Sequence, residues 1–255
     1  MNFPSSLLRR LTALLAAGLA AAAAADELHD QIGLLGPDFL VRAIPAPVLD
    51  RPADWINRDD GDYHYVYTAG DDHGQKEQVE THRYDAAHPG RVWHRQIGAS
   101  FVESFELLDN QAIRFHAETD RQHGYQVDFS PGISIPAGVK AGDTWQAESD
   151  LAAFHLDPAG KAAFQGRMTA TCRYVGAWRV KVPAGEFDAV LIEQSFDVAI
   201  GPAKVSDVRH LFYARGAGVV AEVEAIRATA LVVIRVREKS AKVLSRLPAP
   251  AASAP

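Results

Sequence analysis

Apolar and polar residues alternate at every second position through much of the chain. Tyr63, Tyr65 and Tyr67 are interleaved with His64, Val66 and Thr68, and a second alternating run follows over Gln78–Tyr84. Strands are then predicted over Arg91–Ile97, Phe101–Leu108 and Ala112–Glu118. Later come Gly166–Val175, with Met168, Ala170, Cys172 and Tyr174 on one side, and Ala189–Ile200, with Val190, Ile192, Phe196 and Val198 on one side. Val205–Arg215, Val219–Ile226 and Ala230–Arg237 complete the set. Period-2 alternation is the mark of a strand with one face packed and one solvated. Turn chemistry separates these runs: Asp109-Asn110, Ser130-Pro131-Gly132, Pro136-Ala137-Gly138, Pro183-Ala184-Gly185 and Gly201-Pro202. Short β-rich runs divided in this way predict an all-β protein, a single curved antiparallel sheet or partly open β-barrel with an N-terminal extension. Residues 221–236 also contain helix formers, but Val219, Val220, Val223, Val232, Val233, Ile234 and Val236 are β-branched and favour strand.

The pattern changes at both ends. Arg9 and Arg10, then the uncharged run Leu11–Ala24 and the small residues Ala23-Ala24-Ala25 before Asp26, have the order of a secretory signal peptide. Residues 1–25 are therefore expected to be cleaved near Ala25, giving an exported, periplasmic chain with no transmembrane segment. No cysteine follows the run directly, which argues against a lipid anchor. Residues 26–60 form the extension: a short helix at Asp26–Leu35, then an extended stretch punctuated by Pro45, Pro47 and Pro52. The β domain spans 61–240, and residues 241–255, rich in Pro, Ala and Ser beyond Leu247, are expected to be a disordered tail.

Composition narrows the function classes. The chain has 255 residues, 47% hydrophobic and 23% charged, the balance of a folded protein. Removing Arg9 and Arg10 leaves 24 basic against 32 acidic residues, which opposes nucleic-acid binding. One cysteine excludes an internal disulfide framework, and its neighbours Met168, Ala170 and Tyr174 place Cys172 in a core. Gly216-x-Gly218-x-x-Ala221 matches a relaxed dinucleotide fingerprint, but strand-like residues follow where a helix would be needed, so it reads as a turn or bulge. No G-x-S-x-G elbow occurs.

Three features remain as candidate chemistry. Gln194 and His210 interrupt apolar strand faces; a three-residue loop at 201–203 would set them opposite each other, as a bonded pair or as groups lining a cavity. Leaving either buried and unpaired would cost about 1–3 kcal/mol. Tyr63, Tyr65 and Tyr67 offer stacked rings with polar tips, for packing or for an amphipathic ligand. Seven of the ten histidines lie between His64 and His123, and His64, His82, His94 and His116 could converge on a metal if strand register allows, although no H-x-H or H-E-x-x-H spacing occurs.

Three longer motifs carry a resemblance. Lys181–Ala189 (KVPAGEFDA) is followed by Phe212–Val220 (FYARGAGVV), and Ile135–Gly138 precedes Lys140–Trp145 (KAGDTW). These resemble the motifs of TapB-like exported bacterial β proteins of unknown function, over about residues 95–225. The resemblance implies a curved antiparallel sheet or partly open barrel and brings no catalytic residue. The combined expectation is an exported, non-catalytic binding or envelope-assembly protein. Its concave β face would take a small hydrophobic or amphipathic molecule, or an envelope partner, without a cofactor. The alternative is a periplasmic metal-dependent enzyme or metal binder built on the histidines of residues 64–123.

Overall fold

The computed structural model describes residues 28–56, 60–70, 74, 77–157, 162–230 and 234–249; of residues 230 and 234–236 only the backbone is described. The expected signal peptide and the last six residues lie outside these segments. Thirteen strands follow one another: β1 (Leu40–Ala43), β2 (Gly61–Ala69), β3 (Glu77–Tyr84), β4 (Val92–Ile97), β5 (Phe101–Leu107) and β6 (Ile113–Asp120). Then come β7 (Tyr125–Ile135), β8 (Thr144–His155), β9 (Phe164–Val182) and β10 (Gly185–Ile200). The set ends with β11 (Ala203–Ala214), β12 (Gly218–Ala230) and β13 (Ile234–Arg246).

Every pairing is antiparallel. β13 returns to β2, with Leu244 opposite Tyr65, and all strands from β2 to β13 join in one ring. This is a closed twelve-stranded barrel with β1 added on β9. The all-β antiparallel expectation holds, and closure is complete rather than partial.

Alternation sets the two surfaces of the wall. On β9 Met168, Ala170 and Cys172 are buried, whereas Arg167 and Thr169 are exposed. On β10 Gln194, Phe196, Val198 and Ile200 face the interior, and the exposed Asp197 and Ala199 point outward. On these two strands the outer face carries Arg167, Thr169 and Asp197, unlike the apolar outer band of a membrane-spanning barrel. No helix among the described residues is long and apolar enough to cross a membrane.

The N-terminal extension is part of the fold. A short helix over residues 28–33 places Ile32 with Leu35 and Phe39 against Val180, Leu191, Phe212 and Val223, on the outer side of the wall. The chain then runs beneath one end of the barrel. The Ile44 amide donates to the Ala177 carbonyl, Leu49 pairs with Val139, the Tyr174 hydroxyl donates to the Pro47 carbonyl, and the Gly216 amide donates to the Asp54 carbonyl. Leu49 and Trp55 pack with Ile135, Tyr174, Val190, Ile192 and Leu211, so this end is closed by a plug. The three glycine-bearing motifs at 135–145, 181–189 and 212–220 supply the turns of that same end. Gly138 and Gly216 have φ of 84° and 74°, values that favour glycine, and both amides bond the plug.

Three sequence expectations are corrected. β13 runs to Arg246, with Ala241, Val243 and Leu244 buried, so the tail does not begin at 241. β7 and β8 had not been expected as strands. Pro131-Gly132, read as a turn, lies inside β7 at a bulge opposite Phe115–Ala117, where the Gly132 amide donates to Ser149 Oγ. The third correction concerns the hairpin between β10 and β11. It turns on Gly201-Pro202, so Ile200 pairs with Ala203, Gln194 with Arg209 and Glu193 with His210. A loop shorter by one residue than expected moves every side chain of one strand to the other face relative to its partner. Gln194 therefore points inward and His210 outward, and the two do not meet.

Candidate functional site

The barrel encloses a cavity of about 430 Å³. This lies within the range of about 300–1,000 Å³ usual for small-molecule sites. Its base is Ile56 of the plug together with Trp93, Ile113 and Ile135. The wall of β7 to β10 is mainly apolar, with Val127, Phe129, Leu151, Met168, Phe196 and Val198 interrupted by Ser134 and Gln194. The wall of β3 to β6 and of β11 alternates apolar residues with charged ones, namely Glu80, Arg95, Glu103, Glu118, Asp207 and Arg209.

The charges form a network. Arg95 Nε donates to Glu103 Oε2 at 2.7 Å, and Arg95 Nη1 lies 3.5 Å from Glu80 Oε2. Lys242 Nζ donates to Glu80 at 2.7 Å and lies 3.0 Å from Glu222. Arg209 Nε is 2.7 Å from Asp207 Oδ2 and 2.9 Å from Glu224 Oε1. Its guanidinium also sits over the Phe196 ring, 5.7 Å from the centroid. Burial of charge is costly unless partners compensate. Here burial raises the Glu222 carboxyl, but Lys242, Arg209 and Arg95 outweigh it and bring it down to about 2. For Glu118 burial and then the neighbouring Glu103 outweigh the attraction of Arg209 and push it up to about 7. Glu224 also rises to about 7 through burial, with Glu222 and Asp207 adding to it against Arg209. Burial likewise raises Asp207, with Arg209 opposing.

The residues singled out in the sequence are dispersed. Gln194 lines the cavity. His210 lies on the outer face, where its Nε2 is 3.3 Å from Glu193 Oε2, a carboxylate shared with Arg173. Tyr63, Tyr65 and Tyr67 lie on the inward face of β2. Tyr65 lines the cavity and donates its hydroxyl to the Val219 carbonyl at 2.8 Å, Tyr63 packs on the His82 ring, and Tyr67 donates to Gln78 Oε1. The four candidate metal histidines do not converge. His82 faces the cavity, His64 lies on the opposite face against Glu77, and His94 and His116 line a groove on the outer surface. No group of three or more potential ligands forms among the described residues. Cys172 is fully buried, and burial pushes its thiol up to about 12, which removes the thiolate a nucleophile needs.

The ionic band escaped the sequence reading, although its signal is visible in retrospect. Arg95 lies between Trp93 and Ile97, Glu103 between Phe101 and Phe105, and Asp207 and Arg209 between Val205 and Leu211, each at the position where alternation calls for an apolar residue.

No family model and no curated protein matches the chain. Among solved structures, similarity is found to a candidate exported protein with a YmcC-like fold from Bacteroides fragilis NCTC 9343. It has 12% identity and a TM-score of 0.43, over 75% of this chain and 97% of that one. A candidate lipoprotein from Parabacteroides distasonis ATCC 8503 is similar at 10% identity and a TM-score of 0.38, over the same shares of the two chains.

Proposed function

We propose that this chain is an exported, non-catalytic binding protein of the bacterial envelope. Its barrel interior takes a small amphipathic or hydrophobic molecule. The observation that carries the reading is the plugged barrel itself: a cavity of about 430 Å³, mainly apolar along one wall and ionic along the other. Packing alone would fill such an interior with side chains, and a lined hollow with a few polar groups is the form of a ligand site. The ligand would enter at the end opposite the plug, beside Phe101, Ile200 and Val205. The order of residues 1–25 supports export, and the resemblance of the motifs at 135–145, 181–189 and 212–220 to those of TapB-like exported proteins supports an envelope role.

The test uses N-phenyl-1-naphthylamine, a neutral apolar dye whose fluorescence rises in dry surroundings. Saturable binding to the purified protein is expected. Filling the cavity with Val198→Trp or Met168→Trp should lower affinity at least about tenfold, equivalent to about 1.4 kcal/mol. No saturable binding to the wild-type chain, or undiminished binding by both filled variants, would overturn the reading. Export is tested separately by the intact mass of the secreted protein, expected to begin at Asp26.

A further inference from the structure

Resting on the cavity reading above, we infer that the bound molecule carries a positive charge: an alkylamine or quaternary ammonium group on an apolar body. Three observations lead there. The first is the balance of charge inside the barrel. Among the described residues, Glu80, Glu103, Glu118, Asp207, Glu222 and Glu224 face the three permanent cations Arg95, Arg209 and Lys242, with the His82 imidazole beside them. The second is that the cations are already occupied. Arg95 is held by Glu103 and Glu80, Arg209 by Asp207 and Glu224, and Lys242 by Glu80 and Glu222. An anionic ligand would have to break these pairs and enter a surplus of carboxylates, whereas a cation would meet unspent acceptors.

The third observation names those acceptors. Asp207 is 6% exposed, it lines the cavity, and its Oδ1 has no hydrogen-bond partner among the described residues. Glu118 also lines the cavity, opposite Glu103 on β5, and the cation that acts on it, Arg209, is committed to Asp207 and Glu224. Glu118 follows Glu103 across the β5–β6 pairing, while Asp207 stands on β11 on the far side of the lumen. Arg209 nonetheless brings the two sides within reach, since its Nη1 is 3.9 Å from Glu103 Oε1. The ligand's ammonium group would then sit in the part of the lumen lined by Glu118 and Asp207, with the Phe129 ring there for its apolar part. Aromatic faces add favourable contact to an ammonium group.

The experiment compares three ligands of one chain length on the full protein: decyltrimethylammonium, decanol and decanoate, each below its aggregation threshold, by calorimetry near pH 8. The cation is expected to bind at least about tenfold more tightly than decanoate. Glu118→Gln and Asp207→Asn should each narrow the preference for the cation over decanol by about tenfold. Two conservative variants on opposite walls guard against loss of either fold, which circular dichroism monitors. Decanoate binding as well as the cation, or an unchanged preference in both variants, would overturn the cationic assignment while leaving a cavity that binds decanol. Binding of none of the three would remove the cavity reading as well.

Discussion

Arg209 on β11 and Glu103 on β5 lie 3.9 Å apart although their strands stand on opposite sides of the ring, six neighbours distant either way. A side-chain strut thus crosses the lumen, and it ties the wall that carries Asp207 and Glu224 to the wall that carries Arg95 and Glu118. Removing the guanidinium would strand Asp207 and Glu224 and take from Glu103 one of its two cationic neighbours, the other being Arg95. Arg209→Met is expected to destabilise the fold by about 3–5 kcal/mol in urea unfolding. Part of that loss should return near pH 5, where the stranded groups take up protons. A variant as stable as the parent at both pH values would show that the strut bears no load.

The interior also sets a pH dependence. Glu118 and Glu224 titrate near 7 in the folded chain, above their ordinary value of 4.5. Groups raised on folding contribute stability that is full below the unfolded value and is lost as pH rises through the folded one. Glu222 is opposite in sign: brought down to about 2, it contributes above 4.5 and loses that contribution as pH falls toward 2. The urea midpoint should therefore rise as pH is lowered from 8 to about 5 and fall again below about 4. Glu118→Gln should flatten the upper limb. A midpoint that climbs steadily from pH 5 to 8 would contradict these assignments.

Adjacent residues on β10 give a test of the inside and the outside of the wall. Val198 lines the cavity and Asp197 is exposed. Val198→Asp adds a carboxylate to an interior already rich in them and should cost at least about 2 kcal/mol, whereas Asp197→Asn should stay within about 0.5 kcal/mol. Equal effects would mean that the strand is rotated by one register step.

The plug can be probed at Leu49, which is 1% exposed and paired with Val139. Leu49→Ala is expected to lower stability by about 2–5 kcal/mol, read by thermal or urea unfolding. A negligible change would show that the segment beneath the barrel is not part of the cooperative fold.

Cys172 offers a simple chemical check. Its thiol is raised to about 12 by burial, so Ellman's reagent should find no reactive thiol in the native protein and one after denaturation. Rapid native labelling would place the residue outside the core.

Strand type was legible because alternation is a local property. The runs at Gln78–Tyr84, Gly166–Val175 and Ala189–Ile200 all fall on strands. Cys172, Met168 and Ala170 share the buried face that alternation assigned to them. What could not be read is what depends on a partner strand. Near the plugged end both faces of β11 are apolar, Leu211 and Tyr213 inside and Phe212 and Ala214 against the outer helix, so alternation gives no parity there. His210 was accordingly assigned to the wrong face, and the one-residue difference at Gly201-Pro202 completed the error. Pro131-Gly132 misled for a related reason: turn chemistry and bulge chemistry use the same residues, and only the partner β6 decides between them. The docking of the extension was not legible because the contacts that hold it to the barrel are with residues far along the chain.

That last feature bears on how the protein assembles when its chain is delivered N-terminus first. The stretch bearing Pro47 emerges early, but the Tyr174 hydroxyl that holds it belongs to a residue 127 positions later. Ring closure waits longer still, for β13. Order of delivery and order of docking are thus reversed, and such distant pairing is slow. The unplugged intermediate would expose its apolar lining to the surroundings, which makes the interval before β13 docks the time when a chaperone would matter most.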